Sequence, residues 1–235
     1  MKLGVLYRDT EMAVVDKPAG LLVDEEVVPL AAHELAPPGG RAWPRVVHRL
    51  DRGTSGCLIL ALRKSGERAL LRAFDEGLIE KTYLALVRGR PPATASLDTA
   101  YGPDPRDQRR FTTRLETPRR ARLSYEVLEQ FAEAAWLKVV LDTGRTHQIR
   151  VQLAESGFPV LGDETYGVPW PGLARQALHA WRISLPPDIT CEAPLPELGV
   201  TETAAGKEGG GTPPVTVHVP YCDQLLSWVA FRTSM

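Results

Sequence analysis

The segment His48-Arg49-Leu50-Asp51-Arg52-Gly53-Thr54-Ser55-Gly56 sets one acid between two arginines, directly ahead of the apolar run 57–62. Neighbouring cations favour an ionised carboxylate, and a Gly- and Ser-rich loop at the mouth of a strand leaves it open to a substrate. Those are the needs of a reactive aspartate, although an ion pair bracing a turn has the same composition. In Lys81-Thr82-Tyr83-Leu84-Ala85-Leu86-Val87, strand alternation puts Tyr83 on one face with Ala85 and Val87. Such a tyrosine is ordinarily packed, with its hydroxyl hydrogen-bonded. In the stretch 141–151, Thr143 or Thr146 can cap a helix whose free amides would attract an anion, with Arg145 just before it and Arg150 one turn in. A capped surface helix with ordinary basic residues would look the same.

Other chemistries lack their parts. A phosphoaspartate enzyme of the haloacid dehalogenase kind needs a second Asp where Gly53 stands. Neither a G-x-x-x-x-G-K-[ST] phosphate loop nor a G-x-G-x-x-G fingerprint occurs. The five histidines form no H-x-x-x-H pair, and the three cysteines (Cys57, Cys191, Cys222) are odd in number and widely spaced, so neither a metal site nor a disulfide framework is expected. The N-terminus meets Arg8-Asp9 too early for a signal-peptide core, and no run approaches the ~18 apolar residues of a membrane span. The expectation is a reduced, cytoplasmic protein.

Charge is unevenly spread. The 235 residues carry a net charge of −1, but residues 188–235 hold six acids against two bases, leaving +3 for residues 1–187. Residues 41–72 hold eight bases and two acids, residues 101–122 hold seven arginines and three acids, and 22 of the 28 bases are arginine. Arginine forks onto phosphates and stacks on bases. Local positive stripes permit nucleic-acid binding, and they also describe a solvated arginine-rich surface.

The elements that would position these residues are short. Strands are expected at 5–7, 12–15, 57–62, 80–87, 123–128, 135–141 and 178–185. Helices are expected at 66–76, capped by Ser65, with Ala69, Leu70 and Phe74 inward and Gly77 as terminator, and at 146–156, ended by Gly157. Residues 24–45, with Pro37-Pro38-Gly39-Gly40, read as an irregular exposed loop, and 101–122 as a loop or hairpin. Residues 199–214 read as a linker, 215–219 as an edge strand and 225–231 as an apolar patch. Strands outnumber helices without regular alternation, so the fold class expected is α+β, with a mixed, mostly antiparallel bent sheet flanked by helices and loops.

Taken together, the motifs resemble the RluA-type pseudouridine synthases along nearly all of residues 3–198. "VLYRDTEMAVVDKPAGLLV" is similar to the family's opening strands, and "HRLDRGTSGCLILA" to its catalytic loop. "KTYLALVRG" is similar to its tyrosine strand, "GRTHQIRVQLAESGFPVLGDETYG" to its third motif, and "LHAWRISL" with "EAPLPEL" to its ending. The resemblance implies a synthase domain over 1–198 that converts specific uridines of structured RNA, transfer or ribosomal, to pseudouridine without cofactor or metal. It implies Asp51 as the catalytic aspartate and Arg150 as the partner that aims it. Tyr83 would stack on the flipped uracil, with its hydroxyl as a possible acid or base. Arg49 would fill the space the base leaves. Arg52, Arg145 and His147 join the RNA contacts, and Arg63, Lys64 and the 106–122 arginines would hold phosphates. Relatives act as monomers, so a monomer is expected. The match begins at residue 3, so recognition is expected from the catalytic domain itself, and the acidic 199–235 extension has no role the resemblance explains.

Overall fold

The computed structural model describes residues 2–36, 40, 42–167, 169–170 and 173–196. Strands β1 (Gly4–Arg8) and β2 (Met12–Lys17) form a hairpin whose turn is closed by the Asp9 carboxylate, which accepts the Glu11 and Met12 amides. A π-helical turn, Val23–Val27, runs into α1 (Val28–Glu34). Then come β3 (Arg45–Val46), β4 (Ser55–Ala61), α2 (Lys64–Asp75), β5 (Glu80–Arg88) and β6 (Thr94–Ala100). The hairpin β7 (Gly102–Asp104) and β8 (Asp107–Thr112) is followed by β9 (Arg120–Gln130), β10 (Ala134–Leu141), α3 (Gln148–Glu155), β11 (Leu178–Leu185) and β12 (Ile189–Glu192).

Among the described residues, ten strands share one sheet in the order β1-β2-β4-β11-β5-β10-β9-β6, with β12 on β11 and β3 on β4, while β7 and β8 pair separately. The β4–β11 pair is parallel and the other pairs are antiparallel. This is the α+β, mostly antiparallel class. Register shifts interrupt β11 on β5 and β10 on β9, the kind of irregularity that bends strands.

The run 57–62 is continuously apolar because β4 is buried on both faces. Leu58 and Leu60 join Ala13, Val15, Tyr83 and Ala85 in one core, and Cys57, Ile59 and Ala61 join Met12, Val14 and Leu70 in a second. Gly56 is where β4 crosses β11: its φ is +110°, and a Cβ there would sit 2.2 Å from the Ala180 carbonyl oxygen.

Three expectations need correction. Residues 24–45 are not one irregular exposed loop, because Val27, Ala31 and Leu35, with Val23 before them, recur every four residues and are all buried. That stripe is the inner face of a helix and covers the first core. Helix α2 starts at Lys64 with Arg63 in the capping position and no side-chain cap, while the Ser65 hydroxyl donates to the Glu11 carboxylate. Its inward face is Gly66, Leu70, Ala73 and Phe74, and Ala69 is exposed. Helix α3 is capped by neither threonine: the residue in that position is His147, and the Thr143 hydroxyl instead meets the Gln148 side chain at 2.7 Å. Gly77 (φ +69°) and Gly157 (φ +89°) take the left-handed conformation expected of helix terminators. Strand β6 was not anticipated. The expectations for 199–214, 215–219 and 225–231 lie outside the described residues.

Candidate active site

Asp51 sits in the loop between β3 and β4, and that loop is tied from several sides. Its own carbonyl accepts the Thr54 amide at 3.0 Å. Lys17, fully buried at the end of β2, donates from Nζ to the carbonyls of Pro18 (2.9 Å), Arg52 (3.2 Å) and Thr54 (2.9 Å). Burial lowers the Lys17 pKa to about 8, against the pull of Asp51. Arg52 exchanges backbone and side-chain bonds with Gly20, both at 2.8 Å. From the approach to β11, Gln176 donates to Thr54 Oγ1 at 2.7 Å and Arg175 to the Gly53 carbonyl at 3.2 Å.

The Asp51 carboxylate meets a guanidinium from the first turn of α3. Arg150 Nη1 donates to Asp51 Oδ2 at 2.9 Å, while its Nε and Nη2 fork onto the buried Asp163 at 2.7 and 2.8 Å. Burial disfavours the Arg150 cation, but the two carboxylates outweigh it and its pKa is raised. Burial likewise disfavours the Asp163 anion, and the Arg150 hydrogen bonds reverse that, so its pKa is lowered. The Thr165 and Tyr166 amides also donate to Asp163. Asp51 Oδ1 has no hydrogen bond among the described residues, and His147 Nε2 lies 3.9 Å from it.

Tyr83, on β5, shares the first core with Ala85 and Val87, as alternation predicts, and its ring lines the same cleft. Burial first, then the Asp51 charge, raises its pKa. The cleft holds about 350 Å³ of space open to solvent, and its walls include Arg49, Leu50, Thr54, Leu141, Arg145, His147 and Leu178 with the three residues above.

His147 brings in a second layer. Its Nδ1 lies 2.9 Å from Tyr166 Oη, which also accepts the Phe111 amide of β8 at 3.0 Å. The Tyr166 ring lies against the guanidinium groups of both Arg110 (5.0 Å) and Arg150 (5.1 Å). On the far side of the hairpin, Glu155 of α3 accepts from Thr112 and from the Thr113 amide and hydroxyl. The β7–β8 hairpin is thereby fastened to the helix that carries Arg150.

The remaining sequence candidates are scattered. Arg49 is exposed at the cleft mouth, 3.5 Å from Asp24, and Arg145 lines the cleft while donating to the Arg120 carbonyl. Arg52 is exposed beside it, bracing the loop. Arg63 and Lys64 lie beyond the opposite end of seven-residue β4, roughly 20 Å from Asp51. Arg106 and Arg109 are exposed on the hairpin, and Arg119, Arg120 and Arg122 are exposed at the start of β9. Lys17, Asp163, Tyr166 and Gln176 received no role from the sequence. Asp163 and Tyr166 fall inside the quoted third motif, and Lys17 inside the quoted opening strands. No group of three or more His, Cys, Asp or Glu side chains able to hold a metal gathers among the described residues. No helix of the described residues is long and apolar enough to cross a membrane.

Comparison with known proteins gives this arrangement a family. A family model described as RNA pseudouridylate synthase matches residues 11–155, and the chain belongs to that family. An uncharacterized RNA pseudouridine synthase of Chloroflexus aurantiacus is 44% identical over 149 residues, covering 63% of this chain and 47% of that protein. The ribosomal large subunit pseudouridine synthase D of Nitrosomonas europaea is 35% identical, covering 83% and 62%. The solved human RNA pseudouridylate synthase domain containing 1 superposes with a TM-score of 0.73 at 26% identity, covering 97% of this chain and 95% of that one. The chain thus spans about half to three fifths of the length of the curated relatives it matches.

Proposed function

We propose that the protein is an RNA pseudouridine synthase, with residues 1–198 as the catalytic unit, isomerising specific uridines of structured RNA without cofactor or metal, as a monomer in the cytoplasm. The observation that carries the reading is the Asp51–Arg150 pair: one carboxylate oxygen is held at 2.9 Å and the other has no hydrogen bond among the described residues, in a cleft lined by Tyr83. A uridine stacked in a helix cannot present its glycosidic bond, so it is flipped out at a cost of a few kcal/mol. Asp51 then acts on the flipped nucleotide, Arg150 aims it, the Tyr83 ring stacks on the uracil, and Arg49 occupies the space left behind. Arg52, Arg145 and His147 contact the RNA near the flipped nucleotide. The 106–122 arginines take phosphates to one side. Arg63 and Lys64 serve only an RNA that extends roughly 20 Å past the target. Among the candidate substrates, ribosomal RNA is the first to test, because three of the relatives are named as ribosomal large subunit pseudouridine synthase D.

The test is a pseudouridine map of RNA from cells lacking this protein, before and after incubation with the wild type or Asp51→Ala. Restoration of one or a few sites by the wild type alone is the expected result. Restoration by both removes Asp51 from the chemistry. Restoration by neither, with RNA still bound, makes the protein a binder.

A further inference from the structure

His147 has the one positive φ among the described non-glycine residues, +56°. A histidine in the left-handed region is strained by the order of 1 kcal/mol, and such strain persists where surroundings over-determine it. Here they do. The Tyr101 hydroxyl donates to the Thr146 carbonyl at 2.6 Å, and Gln148 Oε1 takes both the Arg145 amide (3.0 Å) and the Thr143 hydroxyl (2.7 Å). The strain serves no helix cap, since the His147 side chain makes no capping bond. What the conformation does is turn the imidazole into the cleft.

The ring's proton can be placed. Tyr166 Oη accepts the Phe111 amide, and the acceptor left for its own proton among the described residues is His147 Nδ1. Nδ1 is then bare and Nε2 carries the hydrogen. That N–H has no hydrogen-bond partner among the described residues: Asp51 Oδ1, at 3.9 Å, is beyond bonding range. A donor and the unbonded carboxylate oxygen thus flank one gap, with both side chains about a quarter exposed. Burial and the neighbouring Arg150 keep the imidazole neutral, against the pull of Asp51 and Asp163. A neutral ring leaves Asp51 free, where an imidazolium would pair with it.

We infer that His147 is a further catalytic residue, whose Nε2–H donates to a carbonyl oxygen of the flipped uracil beside Asp51. The inference rests on the synthase reading above. When the C1′–N1 bond breaks, its electron pair passes into the uracil ring and spreads over N1 and the carbonyl oxygens. The Nε2–H bond stays intact and holds that charge by hydrogen bonding. When carbon 5 forms the new bond to C1′, the electron pair returns to C1′ and the ring is neutral; carbon 5 then loses its proton and N1 takes one up, which leaves an isomer of the starting nucleotide.

Two substitutions in the full chain test this on the RNA site found by the map. His147→Asn tolerates the left-handed backbone and can still accept from Tyr166, but it has no donor at the Nε2 position. Its single-turnover rate is expected to fall about 100-fold, as for loss of a donor to developing charge, with RNA affinity within about twofold and the melting temperature retained. His147→Gln reaches the Nε2 position with an amide and is expected to recover about tenfold of that loss. Tyr166→Phe keeps the ring between the two arginines but frees the imidazole to protonate at Nδ1, and it should slow the reaction without weakening binding. A His147→Asn enzyme with wild-type rate, a loss confined to affinity, or a glutamine variant no better than asparagine overturns the inference. Activity of the wild type with inactivity of Asp51→Ala keeps the synthase reading standing in that event. A wild type that modifies nothing removes both.

Discussion

Asp163 takes two of the three nitrogens of Arg150, Nε at 2.7 Å and Nη2 at 2.8 Å, so the guanidinium reaches the cleft with Nη1 alone. The carboxylate that grips it is fully buried. Arg150 therefore presents a single donor in a fixed direction, and the Asp51 orientation is inherited from a residue that no substrate touches.

Asp163→Asn leaves the buried Arg150 short of a counter-charge and should lower stability by about 3–5 kcal/mol in urea unfolding. Arg150→Lys keeps a charge but cannot fork, so it should retain fold better than Asp163→Asn while losing most of the rate. Equal stability of the Asp163→Asn protein and the wild type would remove Asp163 from this account.

Stability should fall on the acid side. His48 Nε2 accepts the Ile59 amide at 2.8 Å, and burial, then Lys81, holds its pKa at about 3 against an ordinary 6.5. His179 is lowered to about 4, again chiefly by burial. Between pH 6.5 and these values the unfolded chain binds more protons than the folded one, so stability is complete above 6.5 and is lost as pH falls. Unfolding midpoints at pH 7.5, 6 and 5 should decline in that order, and a flat profile would contradict the neutral buried imidazoles.

Glu155 fastens the hairpin through Thr112, Thr113 and Arg114. Glu155→Ala should cost about 1.5–3 kcal/mol, because its bonds involve a charged acceptor. Tryptic cleavage after Arg106, Arg109 and Arg110 should accelerate well before global unfolding.

Salt dependence separates the two basic regions. Arg109→Ala should reduce the slope of log Kobs against log salt by about 0.7–0.9 on a short stem-loop, one phosphate contact's worth. Arg63→Ala should leave that slope unchanged on the short RNA and reduce it only on a long one. A loss on both RNAs would bring Arg63 closer to the target uridine than β4 allows.

Most of the strands and the sheet class were legible, because long contiguous apolar patterns report burial, whereas Asp51, Tyr83 and Arg150 were drawn together by the family resemblance and not by periodicity. Helix α1 was obscured because its stripe begins at Val23, ahead of the stretch read as a loop, and Pro37-Pro38-Gly39-Gly40 dominated the composition after it. Lys17 was unreadable for another reason. A buried ammonium needs carbonyls, and two of its three come from a loop more than 30 residues away. The His147 backbone, the Asp163 fork and the Tyr166 link are relations between side chains brought together by the α3 turn, and no local pattern encodes them.

The parallel pairing of β4 with β11 joins Ser55 to His179 and Gly56 to Ala180, residues 124 apart in the chain. Contacts of such separation form late, after the loop-closure entropy between them has been met. During synthesis the Asp51 loop leaves the ribosome long before α3 and β11 exist to receive it. A nascent or truncated chain that lacks α3 and β11 therefore cannot present an assembled cleft.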